Sequence, residues 1–331
     1  MTSGGANVII GQSAGDYIQT GTSNTVVGFE AFSYGATDAV NSVFVGRGAG
    51  NTNFGSSNVG IGYAAFGQYT QTSGGDGQVF IGYNAGEVTK GGQYNTALGG
   101  YALAAAKFAQ ETVAIGFAAG QSSSGSFNTL VGRGAGNKIY SGSYSTHIGY
   151  LSGQYATGSY NTFLGSNAGL GGTTSAPYSS GQRNTAIGYS AMGAFTTGNN
   201  NVVIGYEAGD DMTSAGGSVL IGYEAGSKLT TSGEGVFIGE YAGQNSTNGT
   251  NVLIGARAGR GNVANPIGLY CVAIGYMAMQ TPVGNSNIAI GYQAMRDTDA
   301  GSNSDASQNN IAIGYQSMGG TWADAQSNYN V

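Results

Sequence analysis

The segment Asn201–Gly209, N-V-V-I-G-Y-E-A-G, is the clearest copy of a phrase that recurs from Asn7 to Ser317. Neighbouring copies are mostly 16 to 18 residues apart, with stretches of 20 or 23. A period in this range is typical of repeat architectures, in which each repeat packs on its neighbours. Aligned on the central glycine, which we number position 0, there are eighteen copies, with glycine at 11, 28, 46, 62, 82, 99, 116, 132, 149, 165, 188, 205, 222, 239, 255, 275, 291 and 314.

Length and composition bound the architecture. A chain of 331 residues alone suggests two domains, but the repeat continues without a break, which predicts one repeat domain over residues 1–318. Residues 319–331 lack the pattern and contain the one tryptophan, Trp322, so we expect a C-terminal cap or junction there. With 63 glycines, three prolines and 8% charged residues, the chain resembles neither collagen nor a charged disordered tail.

The scarcity of charged and metal-binding residues excludes several functional classes. A net charge of −6 and only ten scattered Lys and Arg argue against nucleic acid as a partner. One cysteine, Cys271, and one histidine, His147, exclude a disulfide framework and argue against a zinc site. No secretory signal or membrane-spanning segment is recognisable, and we expect no cofactor.

The three residues before the glycine predict a short strand. Position −3 is always Val, Thr or Ile and position −1 is always Ile, Val or Leu, whereas position −2 varies, as at Ala97, His147 and Phe163. We expect the β-branched positions to face the interior and position −2 to face outward. A repeat of about 17 residues would hold two short strands and two turns, and successive repeats would stack as parallel layers. The predicted fold is an all-β parallel β-solenoid or β-roll of about 18 coils.

Two positions after the strand indicate a corner. Only glycine takes positive φ or lets another backbone approach closely at no cost, so position 0 is interpreted as a bend. Position +3 is Ala in sixteen copies and Ser in two, so it faces a tight space. The corner glycines include Gly28, Gly62, Gly116, Gly165, Gly205, Gly222, Gly255, Gly291 and Gly314, and the tight positions include Ala31, Ala65, Ala119, Ala168, Ala208, Ala225, Ala258 and Ala294. Position +4 is Gly in eleven copies and a large apolar residue in seven, which suggests a second corner.

Two further columns are polar or aromatic. Position −4 is Asn in eleven copies, and stacked Asn side chains can form a hydrogen-bonded ladder. Position +1 is Tyr in nine copies, which predicts an aromatic row. Such a row favours packing between coils or chains over sugar binding. The ladder includes Asn24, Asn58, Asn95, Asn128, Asn161, Asn184, Asn201, Asn251 and Asn287, and the row consists of Tyr63, Tyr83, Tyr150, Tyr189, Tyr206, Tyr223, Tyr276, Tyr292 and Tyr315.

Gly and Ala dominate each coil, so a single thin solenoid would bury little apolar surface. We therefore expect several chains to pack side by side, with three as the expected number. Four spacers exceed the minimal coil and should form outward loops, which are the first places to look for a receptor site. They are residues 68–77, 170–183, 260–270 and 296–309.

Two segments, Gly158–Gly169 (G-S-Y-N-T-F-L-G-S-N-A-G) and Arg183–Met192 (R-N-T-A-I-G-Y-S-A-M), resemble the repeats of phage tail-fibre and head-fibre proteins. More distantly they resemble the head repeats of trimeric autotransporter adhesins. The resemblance covers nearly the whole chain and implies a homotrimeric, left-handed β-roll fibre that contacts a cell surface. The signal peptide and C-terminal membrane barrel of the autotransporters have no counterpart in this sequence, which favours a virion protein. Nothing after Gly319 resembles the cleavable C-terminal chaperone domain of many such fibres.

Apparent chemical motifs have simpler explanations. Gly60–Ala65 approximates a dinucleotide-binding signature but is one copy of the repeat, and Gly74–Gly77 resembles a calcium-binding repeat that occurs once. Asp210, Asp211, Asp297, Asp299 and Asp305 are interpreted as solvated loop carboxylates rather than a cation site. His147 has no nearby partner for catalysis, so we expect no enzyme.

These patterns favour a structural virion fibre or surface-decorating protein of a bacteriophage that assists adhesion to its host. Its expected partners are further copies of itself, other virion proteins at one end, and host surface glycans. The alternatives are a self-assembling extracellular filament or matrix protein and an adhesin head from a secreted protein. Ice binding would need regular outward threonine rows, whereas Thr25, Thr96, Thr129, Thr146, Thr162 and Thr185 occupy the positions expected to face inward.

Overall fold

The computed structural model is an all-β parallel β-solenoid without helices over the residues it describes. These are residues 4–51, 55–67, 75–88, 92–172, 175, 178–247, 249–262, 266–280, 284–296 and 307–319. They belong to two compact units, Met1–Asn161 and Thr162–Val331. Because the described residues contain no helix, none of them belongs to a helix that could cross a bilayer.

The described part of each unit contains nine parallel strands of three residues, one from each repeat. The first unit has β1 (Val8–Ile10), β2 (Thr25–Val27), β3 (Val43–Val45), β4 (Val59–Ile61), β5 (Val79–Ile81), β6 (Thr96–Leu98), β7 (Val113–Ile115), β8 (Thr129–Val131) and β9 (Thr146–Ile148). The second has β10 (Thr162–Leu164), β11 (Thr185–Ile187), β12 (Val202–Ile204), β13 (Val219–Ile221), β14 (Val236–Ile238), β15 (Val252–Ile254), β16 (Val272–Ile274), β17 (Ile288–Ile290) and β18 (Ile311–Ile313).

Within each unit every strand pairs with the next one along the chain, in the register of the repeat. In the first pair, Val8 lies opposite Thr25 and Ile10 opposite Val27. The Val8 N–H donates to the Asn24 carbonyl (2.8 Å), and the Gly28 N–H donates to the Ile10 carbonyl (2.8 Å). Equivalent bonds recur from coil to coil, so each coil satisfies the backbone groups of its neighbours.

The expectation of two strands per coil is wrong, because the backbone after the strand is not extended. Positions 0, +2 and +4 have positive φ in nearly every repeat, as at Gly205 (138°), Glu207 (49°) and Gly209 (54°). Alternate residues with positive φ turn the chain within five residues, and the described residues contain no second strand in any coil. Position +2 accepts Glu, Tyr, Asn, Arg or Met in this conformation, but no Val, Ile or Thr occurs among the described positive-φ residues. β-Branched side chains tolerate that region least.

The expected orientation of the strand is also wrong. Position −2 is the buried one: Phe44, Phe163 and Val203 are fully buried. The flanking positions −3 and −1 lie on the outer face, half-buried or exposed, as in the burial of β10. Both faces of the strand carry apolar residues, so the alternation of the sequence does not distinguish inside from outside. The narrow interior takes one variable residue per strand, and the β-branched pair lies outside.

The interior of each coil is filled jointly by positions −2 and +4. In all seven repeats with a large residue at +4, position −2 is Gly, Ala or Val; the pairs are Val26 with Phe32, Gly60 with Phe66, Ala97 with Leu103, Ala186 with Met192, Ala273 with Met279, Ala289 with Met295 and Ala312 with Met318. Where position −2 is large, +4 is glycine, because a β-carbon there would overlap the larger side chain, as Gly50 would overlap Phe44. The two positions share one space, which explains the mixed composition at +4.

One repeat has small residues at both positions, Ala114 and Gly120, and its neighbours fill the space. A β-carbon at Gly120 would lie 2.6 Å from Leu130 Cδ1 and 2.9 Å from Leu103 Cδ2, which belong to the adjacent coils. Position +7 adds a second inward side chain in many coils, such as the buried Ile139 and Phe195. Position +7 was not predicted from the repeat pattern.

The Asn column links coils mainly through backbone groups. Asn201 Oδ1 accepts the Ser218 N–H (2.9 Å), and its Nδ2 donates to the Ala215 carbonyl (2.9 Å) and to Asn184 Oδ1 (3.0 Å). Ser145 replaces Asn in one coil, and its Oγ still accepts the Asn161 N–H (3.2 Å). Each buried amide therefore satisfies a donor and an acceptor of the next coil.

The four spacers expected to form loops lie partly outside the described residues, and so does all of the expected cap 319–331 except Gly319.

Candidate interaction surface

The outer strand face is an uncharged surface along each unit. Its columns are positions −3 and −1, which are Val, Ile, Leu or Thr in all eighteen strands. Several of these side chains are exposed, including Ile61, Leu98 and Leu164. We call the columns −3 and −1 together the strand face. An extended, uncharged and largely apolar surface of this kind is a candidate interaction site.

Threonine interrupts the apolar residues of this face irregularly. The six threonines expected inside lie at position −3 of the outer face, so that expectation is corrected. They occupy four of nine strands in the first unit and two of nine in the second, the others being Val or Ile. Position −3 therefore does not form a regular row of threonines, and the outer face lacks the pattern expected for ice binding.

The aromatic residues at position +1 stand exposed beside the strand face and stack on one another. The rings of Tyr189, Tyr206 and Tyr223 follow one another at 5.1 Å, with interplanar angles of 16° and 5°. The rings of Tyr276, Tyr292 and Tyr315 stack likewise at 5.4 and 5.2 Å, and those of Tyr63 and Tyr83 at 5.1 Å. Both faces of an inner ring are covered by its neighbours, so the row offers ring edges and hydroxyl groups, not faces, to a sugar.

Arginine takes the place of an aromatic ring in two coils of the first unit. The Arg47 guanidinium lies 5.5 Å from the Phe29 ring centroid and 5.7 Å from that of Tyr63. Arg133 lies 5.8 Å from the centroids of both Phe117 and Tyr150. A gap of one residue in a stacked ring column thus accommodates a planar cation by cation–π contact.

Acidic residues beside the aromatic row influence its hydroxyl groups. A hydrogen bond with Glu224 and its negative charge raise the pKa of Tyr223 to about 12, and Glu207 raises that of Tyr206 in the same way. Desolvation and the nearby Asp211 raise the pKa of Asp210 to about 6, whereas Asp211 forms an ion pair with Lys228 (2.7 Å). The surface around Tyr206 and Tyr223 in the second unit therefore carries negative charge.

The corner glycines at position 0 and the alanines at position +3 lie where the chain leaves little space for a side chain. The corner glycines have φ between 125° and 142°, and a β-carbon on Gly28 or Gly205 would overlap the carbonyl oxygen of the next corner glycine. The alanines at +3, including Ala31, Ala65, Ala119, Ala168, Ala208, Ala225, Ala258 and Ala294, are fully buried. Of the ladder residues, Asn24, Asn58, Asn95, Asn128, Asn161, Asn184, Asn201, Asn251 and Asn287 are all buried.

The residues that resembled chemical motifs are placed as structural groups. Asp76 Oδ1 accepts the Ser56 N–H (2.7 Å), so this carboxylate links two coils. His147 is buried at position −2, and burial lowers its pKa to about 3. Burial also raises the pKa of the Cys271 thiol to about 11. Within the described ranges, no group of three or more His, Cys, Asp or Glu could hold a metal ion. Asp297, Asp299 and Asp305 lie outside those ranges.

Comparison with known proteins assigns no role to this surface. No protein-family model, no curated protein and no solved structure matches this chain.

Proposed function

We propose that this protein is a non-enzymatic fibre protein whose chains associate side by side, three to a fibre, through the strand face. The observation that carries the proposal is the uncharged column pair at positions −3 and −1 of every strand. A protein that functions as a monomer seldom presents so extended an uncharged and largely apolar surface to water.

The size of the face agrees with this association. At about 4.8 Å between strands, nine strands extend about 40 Å, and positions −3 to +1 are about 13 Å wide. In each unit the strand face and the neighbouring aromatic row together therefore present about 500 Å², which is of the same order as the roughly 800 Å² that a standard protein interface buries per partner.

The place of such a fibre is proposed from the repeats, which resemble those of phage tail and head fibres. We propose that it projects from a virion, is anchored by other virion proteins at one end, and assists adhesion to the host surface. Stacked in-register strands in a chain with only 8% charged residues suit a passive spacer, and this supports the proposal of a structural role.

Light scattering of the purified protein at several concentrations tests the association, with Ile204→Lys and Ile221→Lys as variants. Both residues lie in column −1 of the strand face. We expect a constant mass of three chains for the parent protein and a lower mass for each variant, since a buried unpaired lysine disfavours the interface. Thr197→Lys, on an exposed residue outside the strand face, is the matched control and should keep the parent mass.

A stable monomer for the parent protein would contradict the proposal. A mass that rises with concentration in the parent protein and rises in the same way in the lysine variants would favour the filament alternative, in which whole chains stack end to end.

A further inference from the structure

A second aromatic column lies at position −5 of the first unit, in the residue before the Asn ladder. Phe127, Tyr144 and Tyr160 occupy it on three successive coils, with ring centroids 4.8 and 5.3 Å apart and interplanar angles of 10° and 3°. All three have positive φ, which directs their side chains alike. Tyr144 therefore covers one face of the Phe127 ring, and the other faces the preceding coil.

The preceding coil has Glu111 in this column, and the coil before that has Tyr94. Backbone bonds place them in the same register: the Glu111 N–H donates to the Gln93 carbonyl (2.9 Å), and the Phe127 N–H to the Gln110 carbonyl (2.8 Å). The Tyr94 ring rests on Gly77, where an added β-carbon would lie 2.6 Å from its Cδ1. Tyr94 and Phe127 are therefore two coil spacings apart along the column, about 9 to 10 Å between their backbones, with Glu111 between them. The Tyr94 ring leans towards Gly77 and away from Glu111, which widens the space between the two rings.

This arrangement is a slot with Tyr94 and Phe127 as its walls and Glu111 between them. Tyr94 is 59% and Phe127 40% exposed, so the slot is open to solvent. Within the described ranges Glu111 forms no ion pair and accepts no side-chain hydrogen bond. The negative faces of aromatic rings disfavour an anion beside them and favour a cation.

The chain itself shows which ligand fits such a gap. In the other aromatic column, Arg47 and Arg133 fill gaps of the same one-residue width, each within 5.8 Å of two ring centroids. A glutamate is shorter and thinner than a tyrosine, so the outer part of the slot at Glu111 stays open. A guanidinium entering from outside would contact both rings and donate two hydrogen bonds to the carboxylate.

We propose that Tyr94, Glu111 and Phe127 form a binding slot for an arginine side chain presented by a partner polypeptide. A quaternary ammonium group would contact the rings but has no N–H to donate to Glu111. A guanidinium should therefore bind in the slot more tightly than a quaternary ammonium group. This site is separate from the strand face, so its test is independent of fibre assembly.

Ligand-observed NMR titration of the intact protein with N-acetyl-arginine methylamide tests the proposal, with choline as the comparison ligand. We expect saturable binding in the millimolar range for the arginine probe and weaker binding for choline. Glu111→Gln should weaken the arginine probe about five- to tenfold, because it removes the charge at an exposed position. Phe127→Ser should do the same by removing one wall, and serine is tolerated with positive φ at Ser23 and Ser57 of this column.

Glu234→Gln is the matched control. Glu234 lies in the same column of the second unit with positive φ, but its neighbours there are Gly217 and Thr250, which provide no rings. This variant should bind the probe as the parent does. The proposal would be overturned if the arginine probe did not saturate, or if choline bound more tightly. It would also be overturned if Glu111→Gln left binding unchanged, or if Glu234→Gln weakened binding as much as Glu111→Gln.

Discussion

The ring of Phe80 lies over the Cα of Gly86, so that a β-carbon at position 86 would overlap the ring. These two residues are positions −2 and +4 of one repeat, and they share one space in the core of the coil. The repeats with the opposite arrangement, such as Ala186 with Met192, fill the same space from the other side.

A double variant that moves the large side chain from position −2 to position +4 should therefore be more stable than the sum of the two single substitutions predicts. Phe80→Ala should lower the free energy of unfolding by about 3 to 5 kcal/mol and Gly86→Met by about 1 to 3 kcal/mol. The double variant should recover at least about 2 kcal/mol of the summed loss, because Met192 shows that methionine accepts this backbone conformation. Urea denaturation of the four proteins measures the coupling. Additive losses would contradict the shared space.

The corner glycines should differ according to the coil that follows them. Gly205→Ala places a methyl group against the carbonyl of Gly222, whereas among the described residues the nearest atom to a β-carbon at Gly314 is Ser317 Cβ at 4.0 Å. Both positions have φ near 130°, which costs alanine about 1 to 3 kcal/mol. We expect Gly314→Ala to show only that cost in thermal unfolding and Gly205→Ala to lose about twice as much. Equal losses would mean that φ alone requires glycine.

His147 should make the protein sensitive to acid. Its pKa is about 3 in the folded chain against 6.5 ordinarily, because burial disfavours the imidazolium. A depressed histidine pKa means that the unfolded chain binds the proton more readily, so stability is complete above pH 6.5 and is lost as pH falls towards 3. The loss approaches about 4 to 5 kcal/mol at pH 3.

The variant His147→Phe should remove this pH dependence, because phenylalanine occupies the equivalent position at Phe44, Phe80, Phe163 and Phe237. Unfolding midpoints measured from pH 7 to pH 3 should fall less steeply in the variant than in the parent. Parallel profiles would show that other groups dominate the acid response.

Asn201 should be replaced at lower cost by another hydrogen-bond acceptor than by alanine. Asn201→Ala leaves the Ser218 N–H and the Ala215 carbonyl without their side-chain partner in a buried place, at a cost of about 2 to 4 kcal/mol. Asn201→Ser keeps an acceptor, as Ser145 does, and should cost less. Thermal unfolding of the two variants distinguishes them, and equal destabilisation would contradict the role of the accepted bond.

Much of the fold follows from the repeat itself. The period predicts stacked coils, the phrase before the glycine predicts the strand to the residue at Val236–Ile238, and the composition excludes an interior rich in charged groups. The columns of Gly, Ala, Asn and Tyr are also visible in the sequence, because stacking brings the same position of every coil into contact.

Which strand face points inward was decided only by the tertiary structure. An alternation of apolar residues gives a period of two but no direction when position −2 is also apolar, as at Phe163 between Thr162 and Leu164. The direction depends on the space inside the coil, which is set by residues six positions away. The left-handed backbone at Glu207 is likewise imposed by the hydrogen bonds of stacked coils, since no local preference of glutamate requires it. The sequence by itself determined the repeat and its columns, whereas packing between coils determined what each column faces.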